Sequence, residues 1–332
     1  RKSRSHGFVV SLSGGADSAT VACLVGMMVE LGVKELGFDG FLQKLRYFIR
    51  IETAAAPREI VNGLLSCVYQ STRNSSDVTR KAARGVAEAI GAEFLEFDVD
   101  SFVQDYIAMV SRAIGRELVW DHDDLALQNI QARARAPGVW LLANLRGALL
   151  LATSNRSEAA VGYATMDGDT AGGLSPIAGI DKAFIRRWLK WLESEGPEGL
   201  KPIPALRAVN EQDPTAELRP QSHRQTDEAD LMPYELLDAI ERAAIRDKHS
   251  PLEVYKIICT EFRQYTREQL GLWVERFFRL WCRNQWKRER YAPSFHLDDE
   301  NLDPKTWCRF PILSGGFERE LEELKEFIAN NE

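Results

Sequence analysis

Apolar positions along the chain fall in two rhythms, short continuous runs and longer helical stripes. Residues 8–12 (FVVSL) form a run typical of a buried strand, and 19–31 form a largely apolar helix with Gly32 as its stop. A second strand is expected at 64–69, an amphipathic helix at 76–90 with Gly91 behind it, a third strand at 93–99, and a further buried run at 148–154 (ALLLATS). Strands alternating with helices predict an α/β fold, a doubly wound parallel sheet with helices on both faces. Ligands should then collect at the carboxyl ends of the strands.

Two regions depart from that rhythm. Residues 33–61 carry Phe38, Phe41, Tyr47 and Phe48 without a clean period and are broken by Pro57. They read as an insertion that packs locally or at a subunit contact. From about Gly196, Pro197, Pro202, Pro204, Pro214 and Pro220 punctuate a polar stretch, which reads as a long loop. Helices are expected at 234–245, 251–262 and 267 to about 290, the last opened by a Thr266/Gln269 capping box. Its stripe of Leu270, Trp273, Val274, Phe277, Phe278 and Trp281 is a packing face. The proline-containing tail after Tyr291 is expected to lie across the surface. The organisation expected is an α/β core over 1–200 and, over 201–332, a loop and C-terminal helical extension of the same domain.

The chemistry begins at residues 9–18, VVSLSGGADS. Gly14 and Gly15 let successive backbone N–H groups close around an anion, Ser13 and Ser18 add hydroxyls, and the next helix aims its positive dipole end there. Asp17 would repel a phosphate unless a divalent cation lay between them, so the element reads as a holder of polyphosphate with Mg²⁺. It lacks the Lys of the Walker-type loop.

Composition narrows the setting. The 332 residues carry a net charge of −7, which disfavours nucleic acid as a partner. Cys23, Cys67, Cys259, Cys282 and Cys308 are scattered and never in a CxxC spacing, as in reduced cytoplasmic proteins without a zinc site or disulfide framework. No membrane span is expected, because no uninterrupted apolar run reaches about 18 residues, and no signal peptide is visible.

Four further segments matter. In LQNIQARAR (127–135), Gln128, Gln131 and Arg135 share one helical side, and Asn129 and Arg133 another. TSNRSE (153–158) follows the buried run, placing Thr153 and Glu158 at the carboxyl edge of the sheet unless Ser154 or Asn155 is simply a helix cap. GYATMDGDTAGGLSPIAGIDK (162–182) has five glycines, Asp167 and Asp169, and ends with Asp181-Lys182 opening a helix; such a loop is mobile enough to close over a ligand. DPTAEL (213–218) and QTDEADL (225–231) read singly as a turn and a helix N-cap.

In this order the segments resemble NAD synthetases, members of the N-type ATP pyrophosphatase superfamily, with an echo in NQWKRER (284–290). TMDGDTAGG, with Met166 and Gly173 where ammonia-using members carry a lysine and an aspartate, is most like the synthetase portion of the glutamine-dependent enzymes. The resemblance implies an adenine nucleotide alpha hydrolase-like fold and a ligase. Deamido-NAD is adenylated by Mg·ATP, and ammonia then displaces AMP to give NAD⁺. It implies that Ser11, Ser13, Gly14, Gly15, Asp17, Ser18, Thr153, Lys182 and Thr215 bind ATP or pyrophosphate. Asp17 and Glu158 would be metal ligands, and Asn129, Arg133 and Lys287 would bind deamido-NAD. Asp169 and Lys182 would be catalytic, with Asp169 near ammonia. It further implies a cytoplasmic homodimer. No amidase domain is read in the chain, so ammonia would be free or supplied by a glutamine amidase domain or subunit. The alternatives are another pyrophosphatase, GMP synthetase-like or tRNA-modifying, and a non-catalytic nucleotide-binding scaffold. The −7 charge and DPTAEL weigh against the former, and Asp17, Glu158 and Lys182 together against the latter.

Overall fold

The computed structural model describes residues 3, 5–48, 51, 53–212, 217–220, 226–313 and 315–330. The chain begins with β1 (Phe8–Ser11), α1 (Ala16–Leu36), α2 (Phe38–Lys44), α3 (Pro57–Leu64) and β2 (Leu65–Ser71). It continues through α4 (Asp77–Ile90), β3 (Glu93–Asp98), α5 (Asp100–Ile114), α6 (Trp120–Arg146) and β4 (Leu149–Leu151). Next come α7 (Arg156–Val161), α8 (Lys182–Ser194) and the short α9 (Arg207–Asn210) and α10 (Asp227–Asp230). The chain then adds α11 (Tyr234–Glu241), α12 (Pro251–Glu261), α13 (Arg267–Arg283), α14 (Gln285–Arg288) and α15 (Glu318–Asn330). Contacts divide it into two units. One holds Arg1–Thr153, Thr165–Pro176 and Ile185–Gln225; the other holds Ser154–Ala164, Ile177–Phe184 and Thr226–Glu332.

The first unit contains the sheet. Its order is β3-β2-β1-β4, and every pairing is parallel, with Val10 opposite both Cys67 and Leu151. β2 is buried along nearly its whole length, because parallel strands are covered on both faces and leave no polar side. Val9, Val68 and Leu150 meet Val139 and Ala143 of α6 in one core cluster. The chain builds outward from β1 through β2 to β3 and then returns to place β4 on β1's other side. That reversal makes the carboxyl ends of β1 and β4 the switch point where α/β sheets bind ligands.

The local readings of this unit need two corrections. α1 does not stop at Gly32. It runs on to Leu36, and Gly32 is a packing notch where a Cβ would lie 2.3 Å from the Phe41 ring. Residues 33–61 include helices, and Pro57 opens one, as its missing N–H allows in a first turn. By length and composition alone α1 is also long and apolar enough to cross a membrane. Val21, Ala22, Val25 and Val29 along it are nonetheless buried in the protein. α4 follows expectation, capped by the Ser76 hydroxyl and closed by Gly91 in the left-handed region.

The second unit is helical. Leu270, Val274, Phe277, Phe278 and Trp281 of α13 are its buried stripe, as the pattern predicts, and both halves of the Thr266/Gln269 capping box form. The tail differs from expectation. Leu321 and Leu324 of α15 enter the same core, since apolar residues at 321, 324, 327 and 328 repeat at helical spacing beyond the prolines. The helix expected to run to about 290 breaks at Asn284, whose side-chain amide donates instead to the Val161 carbonyl at 2.7 Å. α11 ends at Glu241 and passes into a π-helical turn, Arg242–Arg246.

Candidate active site

The phosphate-type loop lies directly after β1. Gly14 has φ +86°, and a Cβ on it would lie 2.2 Å from the Thr79 carbonyl oxygen, so glycine alone fits. Gly15 caps α1 without a side-chain bond, leaving the first turn's N–H groups for an anion. The Ser13 N–H donates to Ser18 Oγ at 3.2 Å, the two hydroxyls are 3.0 Å apart, and Ser18 Oγ also donates to the Gly15 carbonyl. This web holds the turn open in one shape. Ser11 is fixed by Gln70 Nε2 at 3.0 Å, Asp17 lies half-buried in the first turn of α1, and Thr153 follows β4 at the switch point.

No preformed cage of three or more His, Cys, Asp or Glu exists among the described residues. Mg²⁺ recruited with a polyphosphate needs only one or two carboxylates, because the phosphates supply the remaining oxygens. Asp17, beside bare N–H groups that favour phosphate, suits that donor set.

In the same unit α6 and residues 165–176 bring three expected residues together. Asn129 Oδ1 accepts from Thr165 Oγ1 at 2.8 Å, Asp169 Oδ1 accepts from the Thr165 N–H at 2.8 Å, and Arg133 Nε donates to the Met166 carbonyl at 3.1 Å. Gln131 Nε2 donates to the Leu218 carbonyl at 2.6 Å, and its Oε1 accepts from Asn74. The glycine segment is tied down rather than loose. The Gly173 N–H donates to Leu150 O, the Ala152 N–H donates to Leu174 O, and a Cβ on Gly172 would lie 2.5 Å from the Ala152 nitrogen. These glycines allow the segment to lie against β4.

The second unit holds Glu158, Lys182 and Lys287. Asn155 is the cap of α7, accepting from the Glu158 N–H, so the plain capping reading of TSNRSE holds for this residue. Glu158 Oε1 is 3.0 Å from Lys182 Nζ and 3.5 Å from the Tyr234 hydroxyl, and the ammonium lies 5.5 Å from the Tyr234 ring centroid. The Lys182 backbone N–H donates to Ser157 Oγ, Ser157 donates to Asp238, and Asp238 also accepts from the Ala183 N–H. Burial raises the Asp238 carboxyl well above its ordinary value. Lys287 Nζ donates to the carbonyls of Gly162 and Ala164 at 2.7 and 2.8 Å.

Arg156, 2% exposed, contacts Glu241, Asp181 and Glu300 at 3.0, 3.2 and 2.6 Å and donates to the Gly179 carbonyl. Burial pushes Glu241 up to about 7 even beside that guanidinium. The network anchors the segment that leads into Lys182.

Thr215 lies outside the described residues. The motif reading also passed over Glu217, whose carboxylate accepts from Thr79 Oγ1 at 2.8 Å and from the Ser76 N–H at 3.1 Å, bracing the residue that backs Gly14. Its position inside PTAEL was the available signal. Tyr234, Asp238 and Arg156 gave none, because their partners are remote in sequence.

The NAD synthase family model matches residues 1–289. Glutamine-dependent NAD(+) synthetase of Oryza sativa subsp. indica is 31% identical over 322 residues, 90% of this chain and 43% of that protein. The Homo sapiens enzyme of the same name is 29% identical over 341 residues, 94% of this chain and 47% of its own length. The chain thus spans less than half of these curated relatives. The crystal structure of a glutamine-dependent NAD(+) synthetase from Cytophaga hutchinsonii superposes with TM-score 0.85 at 48% identity, covering 97% of this chain and 53% of that one. NMN synthetase from Francisella tularensis, at 18% identity and TM-score 0.53, shares the fold. With the parallel sheet and its SGGADS turn, the family match over residues 1–289 shows that this chain belongs to the NAD synthase family.

Proposed function

We propose that this chain is a ligase that makes NAD⁺ from deamido-NAD, ATP and ammonia, as the synthetase portion of a glutamine-using enzyme. The observation that carries the reading is the SGGADS turn at the sheet's switch point, with Gly14 held against Thr79 and the first turn of α1 left open. A carboxylate resists amidation because attack must break its resonance, so it needs a leaving group. Its oxygen attacks the α-phosphorus of ATP, and the bond to the bridging oxygen breaks to release PPi. Ammonia then adds to the acyl carbon of the mixed anhydride, loses a proton, and expels AMP with the C–O electron pair.

The loop N–H groups, with Ser11, Ser13, Gly14, Gly15 and Ser18, bind the β- and γ-phosphates in this reading, and Thr153 and Thr215 complete the ATP contacts. Asp17 and Glu158 are the carboxylates assigned to Mg²⁺, which neutralises charge on the departing PPi when bound. Lys182 stabilises the same leaving group as a point charge. Asn129, Arg133 and Lys287 bind deamido-NAD, and Asp169 takes the ammonia-side role. Free thiols at all five cysteines suit a reducing, cytoplasmic setting.

The partners follow from the same reading. Ammonia comes from solution or from a glutamine amidase domain or subunit. The stripe Phe102, Tyr106, Met109 and Val110 on α5, exposed together with Leu141 and Leu145 of α6, suits a second copy of the chain, which light scattering would detect as twice the monomer mass.

The direct test is incubation with deamido-NAD, ATP, Mg²⁺ and ammonium. NAD⁺, AMP and PPi in equal amounts are the expected products, and glutamine in place of ammonium should give none. ATP consumption that leaves deamido-NAD untouched would defeat the assignment.

A further inference from the structure

Among the described residues Arg156 and Arg288 are buried and fully engaged, and Arg135 is partly buried. Arg156 meets three carboxylates and a carbonyl. Arg288 donates to the carbonyls of Ala159, Ala160 and Trp281 and to Gln285, and it stacks 3.7 Å from the Trp281 ring centroid. Arg135 on α6 is the exception. Its Nε is closed off from solvent without an acceptor, and among the described residues the side chain makes no hydrogen bond or ion pair. An arginine stays charged in proteins, so a guanidinium Nε shielded from solvent with no acceptor carries a cost that an incoming anion would offset. Unmet buried donors are rare in native structures, and a functional role or a bound ion is among the reasons they persist.

The surroundings say what kind of ligand. Glu217 and Asp169 are near enough to favour the positive charge, yet neither accepts a bond from it, and Tyr69 is the third neighbour acting on it. The Tyr69 hydroxyl is 3.0 Å from Thr79 Oγ1, Glu217 holds the same Thr79 hydroxyl, and the Thr79 carbonyl is the wall against Gly14. One helical turn before Arg135, Gln131 fixes Asn74 and Leu218 on that side. The groups around the unmet arginine therefore also wall the phosphate-type loop within the first unit.

We propose that Arg135 binds an oxyanion of a substrate at the carboxyl rim of this sheet, either a phosphate oxygen of ATP or an oxyanion of the dinucleotide. The proposal rests on the synthetase reading above for the identity of these two candidates. It gives the QARAR motif two arginines with different work. Arg133 is exposed and ties Nε to the Met166 carbonyl, whereas Arg135 keeps its planar fork of donors for an incoming anion.

The test compares wild type, R135Q and R135K as full chains, titrating ATP with Mg²⁺ and deamido-NAD separately by calorimetry and recording unliganded thermal stability. R135Q should weaken one of the two ligands roughly 10- to 100-fold, as loss of a charge-assisted contact does, and R135K should restore that affinity only in part. Which ligand weakens identifies the source of the oxyanion. Unliganded R135Q should melt at or above the wild-type temperature, because an unmet charge is removed. Affinities within twofold of wild type for both ligands would overturn the proposal, as would a lowered melting temperature of the kind expected from deleting a structural arginine. Binding needs no turnover. A wild-type chain that binds ligand without forming NAD⁺ would therefore defeat the reaction assignment while the R135Q comparison still decided Arg135. A wild-type chain that bound neither ligand would overturn both.

Discussion

Lys182 Nζ and Glu158 Oε1 are 3.0 Å apart, with side chains 5% and 15% exposed, so the cation and the carboxylate proposed for one reaction form an ion pair with each other. An ammonium proposed for phosphate and a carboxylate proposed for a divalent cation thus lie side by side. Bound Mg²⁺ and ATP would give each a stronger partner of opposite charge.

That arrangement predicts a split between stability and turnover. If Glu158 holds Mg²⁺ as proposed, Glu158→Gln should lower NAD⁺ formation by on the order of 100-fold or more. It should also lower stability by about 1–3 kcal/mol, because the largely buried Lys182 keeps its charge and loses the Glu158 carboxylate. Adding Lys182→Met should recover part of the stability and none of the activity. Urea titration beside initial rates reads both, and near-normal turnover of Glu158→Gln at saturating Mg²⁺ would remove Glu158 from the metal.

Asp17→Asn should behave differently. Asp17 is half-buried in the first turn of α1, where a negative charge complements the helix dipole, so its replacement should cost about 0.3–1 kcal/mol of stability. Turnover should nonetheless fall by on the order of 100-fold or more if the carboxylate holds Mg²⁺. Equal rates for Asp17→Asn and wild type across a Mg²⁺ titration would sink that role.

What the sequence disclosed and what it withheld divide along physical lines. SGGADS was legible because a turn that approaches Thr79 so closely demands glycine at a fixed place, and that demand is local. The α13 stripe was legible for the same reason, since helical periodicity is written within one segment. Gly32 was misread because its reason is the Phe41 ring, a contact that no local pattern encodes. Arg156 and Glu241 are 85 positions apart, so no local pattern could pair them. Arg135 was read on one helical side with Gln128 and Gln131, but its unmet Nε is a property of the folded surroundings.

The buried Arg156 network gives the third prediction. Arg156→Met would leave Glu241, Asp181 and Glu300 facing one another without their cation, a loss of about 3–5 kcal/mol. Combining it with Glu241→Gln should cost less than the sum of the single changes, because the second removes the carboxylate most in need of compensation. Chemical denaturation of the three variants supplies the cycle, and strict additivity would mean the pair is not coupled.

The same carboxylates set a pH dependence of unusual sign. Glu241 is pushed from an ordinary 4.5 up to about 7 by burial, and Asp238 is displaced upward as well. Between pH 4.5 and 7 the folded chain therefore holds protons that the unfolded chain has released, so stability falls as pH rises through that window. Carboxyls held low by partners, Asp100 beside Arg73 and Asp247 beside Arg246, act in the opposite sense only below about pH 4, where they become protonated. The urea midpoint should accordingly decline from pH 5 to pH 7. Glu241→Gln should flatten the decline, because a neutral amide has no proton to lose, leaving the remainder to Asp238. A wild-type midpoint that rose steadily from pH 5 to pH 7 would show that Glu241 is already ionised at pH 5, held by Arg156 more strongly than burial opposes it.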